Sequence, residues 1–132
     1  MSFTNGKIFL DPKVNAICDK LIYFLNEEFK KTTYLNDNFG LTGKAAFILQ
    51  ESGIGNANNV IFITNRQDIY NFLFDNIYNF LKPNLYIKFK ERLLLDFEFV
   101  KLEIWLTDSN LTFITLNEVK IQERDKIPSI LL

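Results

Sequence analysis

The chain has 132 residues, 48% of them hydrophobic, with 15 Lys and Arg against 16 Asp and Glu and a formal net charge of −1. These figures describe one domain, residues 1–132, able to bury its own core; they argue against a disordered segment and against attraction of the whole molecule to nucleic acid or to an anionic membrane. Histidine is absent and cysteine occurs once, at Cys18, which removes the commonest general base and metal ligand and excludes an intrachain disulfide or a Cys-cluster zinc site, so no cofactor is expected.

In chain order, the first residues, Met1 to Lys7, lack the basic-then-apolar pattern of a secretory leader, and the expectation is a cytoplasmic protein, or one assembled inside a host cell. Asp11-Pro12 pairs a capping side chain with proline at the first helical position. Val14, Ile17, Leu21, Phe24, Leu25 and Phe29 then predict a helix over 12–31 with one buried stripe. Cys18 sits beside that stripe and reads as packing, since no histidine could activate it. Asn36-Asp37-Asn38 is turn chemistry. Residues 39–43 form a short strand running into glycine, 44–51 a short helix, and Gly53-Ile54-Gly55 part of a loop.

Residues 59–64 are β-branched and aromatic on both faces, as suits an interior strand. Residues 66–81 form the strongest helix, stopped by Pro83. Its apolar positions span about 240°, wider than the stripe of a surface helix, with Tyr70, Phe74 and Tyr78 as a second edge. From 84 the period becomes two: Leu85, Ile87, Phe89, Leu93, Leu95, Phe97 and Phe99 alternate with charged residues, until the phase flips at Val100 and marks a bulge or a break. Asp108-Ser109-Asn110 is a turn and 111–116 another strand. The expectation is an α+β (α/β) domain whose mixed β-sheet of four to six strands is flanked by three helices. No apolar run approaches the roughly 20 residues of a membrane span.

Several groups are candidates for function. Asp96, Glu98, Glu103 and Asp108 could gather a metal, but Lys88, Lys90 and Arg92 on the preceding face make cross-strand ion pairs the better account. Those three cations could also track a nucleic-acid backbone, a reading that the net charge weakens. Gly43-Lys44 lacks the Walker spacing and reads as a strand-to-helix turn. Tyr70, Phe74 and Tyr78, with the tail residues Ile130, Leu131 and Leu132, are the expected interface, for a protein partner or a second copy.

Leu41-Thr42-Gly43-Lys44-Ala45-Ala46, the short helix, the Gly/Asn loop and the strand at 59–64 together resemble the core of minimal nucleotidyltransferases of the abortive-infection toxin type. The resemblance covers roughly residues 39–104. It implies a glycine turn beside a triphosphate and carboxylates on the following strands that hold metal ions for nucleotidyl transfer. Gly43 fits the first glycine, while Lys44 stands at the second small position. The two metal-binding aspartates would fall at Asn59 and Ile61; Glu103, or Glu98, could stand for the third carboxylate. An amide is a poor substitute for a carboxylate and isoleucine cannot ligate, so the resemblance implies an inactive relative of that fold.

The function expected from these features is a non-catalytic structural or interaction subunit of a larger assembly. The A/T-rich codons behind the abundant Ile, Asn, Phe and Lys suggest a low-GC bacterium, its phage or a mobile element as the source; together with the resemblance to a phage-defence fold this points to a phage or mobile-element context and a virion neck, tail or head accessory component. An antitoxin-like or immunity-like partner belongs to the same reading. The alternative is a Mg-dependent nucleotidyltransferase-type toxin or enzyme with a rearranged site, resting on Gly43, Lys44, Glu98 and Glu103, with Asp96 and Asp108 as further donors.

Overall fold

The computed structural model describes residues 12–30, 32–52, 59–116 and 119–132. The expected cap at Asp11 and the Gly53-Ile54-Gly55 loop lie outside them. Among the described residues four α-helices, α1 (Pro12–Glu28), α2 (Thr32–Asn38), α3 (Gly43–Ser52) and α4 (Gln67–Leu81), accompany seven strands. The strands are β1 (Phe39–Thr42), β2 (Asn59–Thr64), β3 (Leu85–Lys88), β4 (Arg92–Asp96), β5 (Lys101–Leu106), β6 (Phe113–Leu116) and β7 (Val119–Gln122). They form one mixed sheet in the order β3-β4-β5-β2-β1-β7-β6. The class is α+β, as the sequence predicts, but with one more helix and more strands. The Asn36-Asp37-Asn38 turn is the end of α2, where the Asn38 side-chain N–H donates back to the Tyr34 carbonyl at 2.8 Å.

At the centre, β2 runs antiparallel to β1 and parallel to β5, with Ile61 opposite both Thr42 and Glu103. Residues opposite one another share a face, so the registers sort the side chains into two sets. One face carries Leu41, Val60, Phe62, Leu93, Leu95, Leu102 and Ile104, all nearly or fully withdrawn from water. Helix α4 covers this face: Tyr86, on the same side as Leu95, donates its hydroxyl to the Phe74 carbonyl at 3.0 Å and stacks on Tyr78 at 5.9 Å.

The wide apolar arc of α4 is thereby closed within the domain. Ile69, Leu73 and Ile77 are fully buried. Phe24 of α1 stacks on Phe72 and Phe80, at 4.9 and 3.9 Å between ring centroids. The edge of Tyr70, Phe74 and Tyr78 meets β3 and the turn that follows it. The helix ends where Lys82 turns left-handed, φ 53°, and donates its N–H to the Tyr78 carbonyl, one residue before Pro83. At its start, Asp68 accepts the Tyr34 hydroxyl at 2.7 Å and ties α2 to the first turn.

The phase flip at Val100 is a hairpin turn, not a bulge. Asp96 pairs with Lys101, and Phe97 N–H donates to Val100 C=O at 3.0 Å, leaving Glu98 and Phe99 at the tip. Glu98 adopts φ 76°, a left-handed conformation that glycine takes most easily. A second turn changes the reading of β3. Phe89 N–H donates to Arg92 C=O at 2.8 Å around Lys90 and Glu91. A loop with an even number of residues inverts side-chain parity, so Ile87 pairs with Leu94 and Leu85 with Asp96. Leu85 and Ile87 therefore stand on the opposite face from Leu93 and Leu95, although one uninterrupted alternation in the sequence places all four together.

Candidate functional site

Two places on the face away from α4 draw together the residues that sequence singled out. The first is the turn from β1 into α3. Gly43 adopts φ 73°, which an L side chain rarely takes. A Cβ there would lie 3.2 Å from Ile61 Cδ1 and 3.2 Å from the Leu131 carbonyl oxygen. The space over the turn is thus filled by Ile61 from β2 and by the C-terminal 3₁₀ turn, Ser129–Leu131. Three residues earlier, Gly40 faces the Phe113 ring, which a Cβ would approach to 2.6 Å. Beneath this cover Thr42 and Gln122 are buried and in hydrogen-bond contact at 2.6 Å, and Gln50 donates to the Gln122 carbonyl at 3.0 Å.

Glu103 stands beside Ile61 and is buried. Its Oε1 lies 2.9 Å from Arg92 Nε, a charge contact whose N–H is not aligned for a hydrogen bond, and accepts the Trp105 indole N–H at 3.1 Å. Lys44 and Asn59 are exposed. Asp96 ends β4 and accepts the Glu98 main-chain N–H at 2.9 Å. Glu98 is on the hairpin tip, not on the strand face shared with Asp96 that the alternation predicts. Asp108 lies beyond the far end of β5, where with Asn65, Gln67, Glu91, Leu106 and Thr107 it lines a cavity of about 360 Å³. The four acids are scattered, and among the described residues no group of three or more Cys, Asp or Glu could hold a metal ion. Of the cross-strand ion pairs expected, Arg92–Glu103 is present, and Asp96 stands in register opposite Lys101.

The second place is the flank formed by β3, β4 and β5. Leu85 (51% accessible), Ile87 (36%) and Phe89 (50%) are exposed in a row. Leu94 and Trp105, on the same face, are half-buried. Arg92 Cζ lies 5.6 Å from the Phe89 ring and 5.5 Å from the Trp105 ring. These three line an open depression of about 510 Å³ with Lys90 and Glu91. Cation–π contacts on both sides and Glu103 behind hold Arg92 as a fixed charge in an apolar surround.

The expected interface is redistributed. Tyr70 is buried, with its hydroxyl donating to the Phe89 carbonyl at 2.9 Å. Burial and, secondarily, Glu91 push its hydroxyl pKa up to about 12. Phe74 is half-buried beneath Lys88 Nζ, 4.5 Å from its ring. Tyr78 is exposed at its rim but stacked on Tyr86. Leu131 is buried over Gly43, while Ile130 and Leu132 face solvent. Tyr70 and Leu131 therefore belong to the domain's own core. Lys88 lies on the α4 side and Arg92 on the other, so the three cations do not form one track. Cys18 is buried, and desolvation followed by Asp19 raises its thiol far above its ordinary value, which suits packing rather than nucleophilic work. The exposed row on β3 escaped the sequence reading; its available signal was the even-length turn at Lys90-Glu91.

Comparison of the chain with family models, with curated proteins and with solved structures finds no match. None of the helices among the described residues is long and apolar enough to cross a membrane.

Proposed function

We propose that the chain is a non-catalytic interaction subunit of a larger assembly. The observation that carries this reading is the sheet flank where Leu85, Ile87 and Phe89 lie exposed beside Leu94 and Trp105. Apolar side chains grouped on an exposed sheet face cost solubility unless a partner covers them. The turn at Gly43 supports it from the other side. Asn59 and Ile61 stand where the nucleotidyltransferase resemblance would require carboxylates, Ile61 fills the space over the glycine, and Glu103 is engaged by Arg92. A phage or mobile-element setting, with a virion neck, tail or head role, rests on composition and on the resemblance to a phage-defence fold.

The alternative, a Mg-dependent nucleotidyltransferase-type toxin or enzyme, keeps one observation in its favour: Glu103 lies next to Ile61 on the strand parallel to β2, on the face of the Gly43 turn. Thermal melting with and without Mg²⁺-nucleotide separates the two readings. An unchanged melting temperature is expected. A saturable rise would establish nucleotide binding and sink the non-catalytic reading.

A further inference from the structure

Resting on that reading, we infer that the partner on this flank is a second copy of the chain, joined edge to edge through β3 in antiparallel register centred on Ile87. Among the described residues, strand β3 ends the sheet. The Phe89 N–H bond to Arg92 C=O fixes which main-chain groups face β4: those of the odd-numbered residues do, and those of Tyr86 and Lys88 point away from the sheet. An edge with aligned outward N–H and C=O groups is a template for another strand.

The register follows from faces and hydrogen bonds together. A two-fold axis normal to the sheet keeps each copy's open face on the same side, so odd residues must oppose odd residues. Centring the axis on Ile87 places Tyr86 opposite the partner's Lys88, and each donates its N–H to the other's C=O. The outward groups of both residues are then satisfied in both copies. On the open face Ile87 meets the partner's Ile87, and Leu85 meets the partner's Phe89. The three most exposed apolar side chains of the strand and its turn thus become one stripe across the junction. On the other face each Lys88, already over the ring of Phe74, gains a third aromatic partner. Its Nζ already lies 5.8 Å from the ring of its own Tyr86 and would now also adjoin the partner's Tyr86 ring. The strand itself contains no proline, and its left-handed residue Lys82 and Pro83 precede it, so nothing in β3 blocks approach.

The test uses the full chain at micromolar concentration, with mass measured by light scattering after size exclusion. The expected mass is twice 15.5 kDa. Ile87→Lys sets two charges against each other at the axis, and Lys88→Pro removes an outward donor without removing a bond to β4. Both variants should halve the mass while keeping the wild-type circular dichroism spectrum. Ile87→Cys should form an interchain disulfide under mild oxidation, because a centred non-hydrogen-bonded pair brings the two Cα atoms within disulfide reach. Cys18, buried with a raised thiol pKa, should leave the wild type uncrosslinked. If Ile87→Lys fails to fold, the Cys variant and Lys88→Pro decide the matter. A wild-type monomer would overturn the β3 pairing, as would a dimer untouched by Lys88→Pro and not crosslinked by Ile87→Cys. Failure of the wider reading looks different: a Mg²⁺-nucleotide shift in melting temperature, whatever the mass.

Discussion

On the face that α4 covers, Leu93, Leu95, Leu102 and Ile104 are almost wholly withdrawn from water, whereas one position along the same strands Leu94 and Trp105 are half-buried, and Leu85 and Ile87 of β3 are exposed. Both faces carry leucine and isoleucine, although the open one also holds Arg92, Asp96 and Glu103. What separates those shared side chains is cover: among the described residues one face has a helix whose apolar arc is satisfied by the sheet, α1 and Tyr86, while the other has the Phe113 ring and the C-terminal turn over its centre. An apolar residue on a strand is therefore core or contact surface according to what lies above it, and alternation alone does not say which.

The largest contrast should appear in alkali. Tyr70, Tyr86 and Cys18 all belong to the helix-covered side, and burial raises the pKa of each. A group whose pKa is raised by folding contributes stability below its unfolded value, and that stability is lost as pH climbs towards the folded value. For Tyr70 the window runs from about 10 to about 12. Melting temperature should fall steeply across that window, with tyrosine ionisation at 295 nm rising together with unfolding. Tyrosines that titrate near their ordinary value, before unfolding, would show that this side is not closed to water.

Truncation should rank the faces next. Leu95→Ala removes a fully buried side chain and should cost about 3 kcal/mol in urea unfolding. Leu85→Ala, half-exposed on the open face, should cost less than about 0.5 kcal/mol at protein concentrations low enough to give monomer. Equal losses would mean that the open flank is packed in solution.

At the centre of the open face, Gly43→Ala meets both a left-handed φ and the Leu131 carbonyl. It should destabilise by about 2 kcal/mol. Removing the last four residues from the Gly43→Ala background should recover part of that loss. No recovery would place the whole cost on backbone conformation. The smallest change should be a gain: Glu98→Gly relieves φ 76° at the β4–β5 tip and should stabilise by about 0.5–1 kcal/mol, a higher urea midpoint being the readout.

Much of the fold was legible in the residues. Pro83 and the apolar spacing of α4 placed that helix almost to the residue, because helix periodicity and proline geometry are local properties. The β-branched run at Asn59–Thr64 announced a central strand. The candidate site was legible only in part. Gly43 could be marked as a turn glycine, and the Arg92–Glu103 pairing anticipated as a cross-strand ion pair. That Leu131 would fill the space above Gly43 could not be read, since it joins positions 88 apart in the chain.

The sequence by itself determined α1, α3, α4 and the central strand, though not α2, and it fixed the lack of histidine and of a second cysteine, because propensity and residue inventory act within a few residues or on the chain as a whole. Only the tertiary structure decided which way each apolar side chain faced. The turn at Lys90-Glu91 inverts parity between β3 and β4, turning Leu85 and Ile87 out to solvent while Tyr86 closes over Phe74. That choice depends on strand register, and register is set by packing across the sheet, not by any single segment.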